Sequence, residues 1–512
     1  MKSMKKGFTL IELLAVIVIL AIVALIATPI VLDVIGNAKD KANMASSYGI
    51  IDTAKLYYIE NKFKDGVVPS TNIIDTLNLG GDKPETGEVY INKTGEIAVS
   101  LKYGDKCYKK EFGDENIKTS EYNINSCKTY VPSNVVKDES NASVPNLHAN
   151  MIPIKYDGSK WVKADMLNTS KEWFDYENQK WANAVTVTTS SRETYKSAAI
   201  GTEVLEADIL TYMVWIPRYE YKIDGLYGKG GTSTSNPGEI EINFASISSG
   251  YRVHPGFTFG SEELAGFWMG KFELTGTIGA ITVKPNVTSL RSQTISSFFS
   301  AMRNLDNNPN YGYGNVESHM IKNSEWGAVA YLSQSKYGKY GNASHTGANK
   351  EIYQNKSSTY ITGNSNGTPS QVETNTQCAY NDHTNNCGIG ASTTGTIYGI
   401  YDMSGGAYEY VMGNLNNTIG DAGFALMPEV KYYDLYTNST VTTACFDAIC
   451  YGHALTETGS WYSDNATFVT ATHTWLARGG SSNIGIDAGV FYSYYIDGSN
   501  TNVTVTSRIT HK

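Results

Sequence analysis

From Leu13 to Leu32 the chain runs twenty residues without a charge. As a helix at about 1.5 Å per residue, such a run measures roughly 30 Å, the hydrocarbon thickness of a bilayer. Lys2, Lys5 and Lys6 precede it and place the short leader on the cytoplasmic side. An ordinary secretory signal has a shorter apolar core, followed by a small-x-small cleavage site. Here the small residue, Gly7, comes before the run. Glu12 is the one charge between Lys6 and Asp33. A carboxylate in lipid is costly and needs a partner. Pro29 removes one helical hydrogen bond and permits a kink or local melting.

The order Gly7-Phe8-Thr9-Leu10-Ile11-Glu12, with Pro29 beyond it, resembles the type IV prepilins and pseudopilins. The resemblance implies cleavage between Gly7 and Phe8 by a prepilin peptidase and methylation of the new amino terminus. It also implies that Glu12 pairs with the amino terminus of a neighbouring subunit during assembly. The alternative is a simple membrane anchor. The chain is expected in the cytoplasmic membrane, with a single pass, before assembly and in an extracellular surface filament afterwards. Other pilin subunits are the expected partners.

The fold class expected is α+β: a long amino-terminal hydrophobic helix with a small antiparallel sheet, then a large mixed α/β domain. Residues 1–7 are a leader, and residues 8–60 the helix, with 8–32 spanning the membrane. Past Leu32 the helix continues as an amphipathic segment. Ile50, Ile51, Ala54, Leu56, Tyr57 and Ile59 are expected to pack one face against the sheet. Residues 61–127 supply that sheet. GEVYINKTGEIAVSLKY reads as a hairpin about Lys93-Thr94-Gly95, and CYKKEF adds a third strand. Residues 128–146 are polar with two prolines and read as a linker.

Composition narrows the function. A chain of 512 residues is too long for one ordinary core and suggests two to four domains. Charged residues make up 18% and apolar residues 41%, so the chain is neither disordered nor a multi-span membrane protein. A net charge of −9 disfavours nucleic acid as a partner. The six cysteines fall into three local pairs: Cys107/Cys127, Cys378/Cys387 and Cys445/Cys450. Local pairing suits disulfides in an oxidising exterior. The alternative is six buried free thiols.

Residues 147–204 hold Trp161, Trp173 and Trp181 and form an added β-element of no assigned class. From 205 to 512 landmarks follow in order: MVWIPRYEYKI at Met213, GFWMGKFELTG at Gly266, NSEWGAVAYL at Asn323, GIYDMSGGAYEYV at Gly399 and ARGGS at Ala477. The series resembles the formylglycine-generating, or sulfatase-modifying factor, domains, whose fold is C-type-lectin-like. Read from the residues alone, NSEWGAVAYL fits an amphipathic helix with Trp326, Val329, Ala330 and Leu332 inward. Arg478 pairs with a buried acid or carbonyls. The enzymes of that superfamily use a cysteine pair near the carboxyl terminus, and no cysteine follows Cys450 here. No catalytic residue is therefore assigned. Gly363 to Gly367 formally matches G-x-S-x-G but lies in a polar loop without a following helix. His254 before Pro255 reads as a packed loop residue. The resemblance also implies a calcium site from the Gly405 and Ala407 carbonyls with the Glu409 carboxylate. The alternative there is a core glutamate paired with an arginine.

Between Ser482 and Thr506 there is no Lys, Glu, Gln, Met or Trp. That pattern resembles the retroelement-diversified variable segments of lectin-fold proteins, where adenine mutagenesis reaches Asn, Ser, Thr, Tyr and Asp but never those five. The alternative is a fixed terminus with a polar, aromatic face. Tyr492, Tyr494, Tyr495, Asp497, Asn500 and Asn502 are the expected binding surface, for an unidentified protein or glycan. The whole reads as a pilin-like subunit that displays a ligand-binding, adhesive head. The alternative is a pseudopilin or minor tip subunit of a secretion or DNA-uptake system with a structural head.

Overall fold

The computed structural model describes residues 10–64, 73–80, 82–91, 95–111, 114–122, 127, 135–148, 150–244, 249–306, 308–313, 316–366, 377–437, 450–499 and 504–512. The chain divides into two compact units: 1–66 with 73–128, and 67–72 with 129–512.

In the first unit a helix, α1 (Leu10–Lys64), runs without interruption through Pro29. Among its described side chains, Asn43, Ser47, Ile50, Ile51, Ala54 and Tyr58 are buried. Steps of three and four place them on one stripe. Leu56 and Ile59, expected on that stripe, are exposed, because they fall on the opposite side of the turn. Tyr58 takes the inward place. Among the described residues no helix is long and apolar enough to cross a membrane. Of the span expected over 8–32, residues 8 and 9 and many side chains lie outside the described set.

Against the stripe lies an antiparallel meander: β1 (Thr86–Ile91), β2 (Ile97–Tyr103), β3 (Lys106–Lys110) and β4 (Lys118–Glu121). The first three strands match the expected hairpin and third strand, and β4 is an addition. Of the expected turn, Lys93 and Thr94 lie outside the described residues. Gly95 has a φ of +87°, and a Cβ there would fall 2.5 Å from the Tyr58 ring. A disulfide joins Cys107 on β3 to Cys127.

Two large sheets dominate the second unit, with three small sheets of two or three strands beside them. The strands of the two large sheets are β5 (Ile152–Tyr156), β6 (Trp161–Lys163), β7 (Asn183–Val187), β8 (Ile209–Pro217), β9 (Gly266–Gly270), β10 (Ser318–Met320), β11 (Tyr408–Leu415), β12 (Asp434–Tyr436), β13 (Trp475–Arg478), β14 (Ser493–Ile496), β15 (Val505–Ser507) and β16 (Ile509–His511). The seven-stranded sheet runs β10-β16-β9-β8-β7-β5-β6, antiparallel throughout. β8 sits centrally and is buried along nearly its whole length, so its sequence, ILTYMVWIP, is almost continuously apolar rather than alternating. The stretch 147–204, unclassified from sequence, supplies three of this sheet's strands. The five-stranded sheet runs β12-β11-β13-β14, with β15 beside β11. Its β12 and β15 lie parallel to β11, the other pairs antiparallel.

The second half of the expected linker is not a free tether. Asp138 accepts a hydrogen bond from the Tyr176 N–H, Ala142 is fully buried, and the Asn146 carbonyl accepts from the Trp268 indole. The polar composition serves hydrogen bonds to this unit's own core. One helix, α4 (Asn323–Ser333), is buried on every side, not on one stripe as expected. Two shorter helices precede it, α2 (Thr189–Ser197) and α3 (Ile295–Arg303).

Candidate functional site

At the amino terminus, Gly7 and Phe8 lie outside the described residues. Glu12 and Pro29 fall within α1, but their side chains lie outside the description too.

In the second unit the sequence landmarks meet. The Gly405 N–H donates to the Gly479 carbonyl at 3.0 Å. Trp326 of α4 lies under the Arg478 guanidinium, 5.8 Å from ring centre to Cζ, and donates its indole N–H to the Val490 carbonyl. Arg478 is fully buried, and burial lowers it to about 10. It donates to the Ala454 carbonyl at 2.9 Å, the carbonyl alternative of the two expected. The Lys271 ammonium, also fully buried, is satisfied by Asn183 Oδ1 and the carbonyls of Ile397 and Gly399.

Glu409 corrects the calcium expectation. Its two carboxylate oxygens accept from Nε and Nη2 of Arg508, and both side chains are fully buried. A bidentate guanidinium stands where a calcium ion would need a free carboxylate. The residues Gly405, Ala407 and Glu409 therefore do not fit that ion. Burial raises the Glu409 carboxyl, to about 7, and Arg508 opposes the rise. Two further acids share this core. Asp402, at a φ of +63°, accepts from the Gly363 N–H and from Asn355 Nδ2. Glu273 accepts from the Ala407 N–H at 2.8 Å. Burial, with Asp402 and Glu409 near, holds the Glu273 carboxyl well above the usual range. One guanidinium among three buried carboxyls keeps fewer than three of them ionised. Arg508, two residues before the last strand's centre, was not singled out in the sequence. Its signal is its position: it is the only cation after Arg478 apart from the terminal lysine.

The expected binding residues separate. Tyr492 is 3% exposed and belongs to the core, while Tyr494 is 37% exposed. Tyr495 and Asp497 are half-buried. Asn500 and Asn502 lie outside the described residues. Tyr494 and Tyr495 stack at 4.8 Å and 18° between ring planes. Two residues not foreseen join them. His473 packs 5.1 Å from Tyr495, and Tyr408 lies 5.9 Å from Tyr492 and 6.4 Å from Tyr494. β14 is an end strand of its sheet, and Tyr408 begins β11, one strand further in beyond β13.

The remaining candidates are structural. His254 is enclosed by Tyr219, Tyr221, Phe257 and Tyr331, and burial lowers it well below its ordinary value. Ser365 of the G-x-S-x-G match bridges to Cys378 in extended backbone. Cys378 and Cys387 form a disulfide. Cys450 is disulfide-bonded as well, and Cys445 lies outside the described residues. Among the described residues no three His, Cys, Asp or Glu side chains are grouped to hold a metal ion.

Residues 2–28 match the family model of the prokaryotic N-terminal methylation motif. The prepilin motif implies processing by a prepilin peptidase, assembly with other pilins, and a location first anchored in the membrane and then at the surface. No curated protein matches the chain. Among solved structures, one titled "Major Tropism Determinant U1 Variant" aligns over 87% of this chain and 99% of that chain, at 11% identity and a TM-score of 0.25. A likeness of that size carries no argument about fold or ligand.

Proposed function

We propose that this chain is a type IV pilin-like surface subunit whose second unit is a lectin-fold head that binds a ligand. The observation that carries the assembly half is the methylation motif over residues 2–28, which ends one residue before Pro29. The head reading rests on the ordered landmarks from Met213 to Ser481 and on exposed Tyr494 of β14 with half-buried Tyr495 stacked on it. Kinship with formylglycine-generating domains is part of this proposal, without their chemistry: the thiol pair is absent from the sequence after Cys450. The segment Ser482 to Thr506 is read as a diversified surface; a genomic near-copy of codons 478–508 differing at adenines is its check.

Adhesion of intact filaments tests the head, and mass spectrometry on sheared surface filaments tests the assembly half. The expected result is abundant chain beginning at methylated Phe8. Cleaved chain confined to membranes would favour a pseudopilin or a rare tip subunit. An uncut Met1 would overturn the pilin reading.

A further inference from the structure

The chain's acidity is concentrated in one stretch. Between Lys356 and Arg508 the only Lys or Arg residues are Lys431 and Arg478, against twelve Asp and Glu, of which Asp402, Glu409 and Asp464 are buried. Neither cation is available at the surface of β14. Arg478 is fully buried, and Lys431 pairs with Glu317 and Glu429. The aromatic row of His473, Tyr495, Tyr494 and Tyr408 lies within this stretch. Asp497 follows directly after the end of β14, two residues beyond Tyr495. The turn at Gly420 lies against the Asp497 backbone, and Asp421 beside it is exposed.

Tyrosine faces carry negative charge density and attract Lys and Arg side chains. Asp421 and Asp497 add to that attraction, and neither Lys431 nor Arg478 is free to offset it. An anionic partner would meet repulsion from these groups. We propose that the Tyr494–Tyr495 platform receives Lys and Arg side chains from a basic face of a partner protein. This rests on the ligand-binding reading of the head and names the chemistry of its partner.

The test uses the full chain in detergent micelles, with a labelled deca-arginine peptide and a labelled neutral N-acetylglucosamine hexamer as probes. The expected result is that deca-arginine binds and weakens as salt rises from about 50 to about 300 mM, because screening shortens the reach of exposed charges. Tyr495→Ala should weaken it roughly two- to fivefold, the worth of one exposed cation–π contact. Tyr495→Phe keeps the ring and should keep the affinity. Asp421→Asn with Asp497→Asn should weaken it similarly, and Glu203→Gln beside β6 should not. Thermal midpoints of all variants exclude unfolding as the cause. Hexamer binding that Tyr495→Ala abolishes, with no tyrosine-dependent binding of deca-arginine, would overturn the inference and leave the ligand-binding head standing. Deca-arginine binding unchanged by every variant would overturn it as well. Tyrosine-dependent binding of neither probe also overturns it, and the head reading would then stand or fall on adhesion of intact filaments.

Discussion

A buried charge is tolerated only where its partner is fixed, and the Glu409–Arg508 pair shows how the head meets that demand. Arg508 also donates to the carbonyls of Gly270 and Tyr401, so the guanidinium is held from two sheets at once. Glu273 is the acid left without such a partner, and burial favours its protonated form. Its folded pKa is raised, so its contribution is fully present below the unfolded value and is lost as pH rises. The loss amounts to about 1.4 kcal/mol per pH unit while the buried carboxyl keeps its proton. Glu273→Gln mimics that protonated form. The variant should melt higher than the parent at about pH 8 and close to it at about pH 4, read by thermal unfolding across that range. An equal shift at both values would show that packing, not the proton, had changed. None of this was legible in the sequence. Glu409 could be read as either ligand or ion-pair member, and only the return of Arg508 from the far end of the chain decided it.

Elements were more legible where periodicity was strong. The helix of the first unit and the strands β1 to β3 follow from apolar spacing, because local sequence sets which face is buried. The inward choice of Tyr58 over Ile59 depended on where the hairpin's Gly95 came to rest. In α4 the apolar residues suggested one buried stripe, yet the helix is enclosed on all sides, and its polar residues find partners inside. Asn323 donates to Tyr436 Oη and the His453 carbonyl, and Ser324 to Asp434. A helix in that position needs a small residue wherever backbone comes close. At Gly327 a Cβ would fall 1.9 Å from the Gly452 carbonyl oxygen. The contact is with backbone, so it cannot be relieved by a rotamer change. Gly327→Ala should therefore destabilise the head by about 1–3 kcal/mol despite alanine's better helix propensity. Chemical denaturation at fixed pH measures this. A neutral or stabilising outcome would mean that the 452–453 turn yields freely.

At the scale of the whole molecule the amino-terminal motif and the head answer to different constraints, and a single carboxylate separates them. Glu12 lies in the apolar run, where lipid makes an ionised side chain expensive unless a neighbouring subunit supplies a counter-charge. The head's core and its strands lie in residues 129–512, a compact unit apart from α1's first residues. Glu12→Val should therefore leave cleavage after Gly7 intact, because the cut site itself is unchanged, and leave the head's thermal midpoint where it was. What should fall is the share of mature chain in sheared filaments, by several-fold against the parent, with cleaved protein accumulating in the membrane instead. Quantitative mass spectrometry of the two fractions reads this directly. If Glu12→Val enters filaments as well as the parent does, the carboxylate has no part in subunit pairing. The helix would then be an anchor that delivers the head to the surface without building the filament.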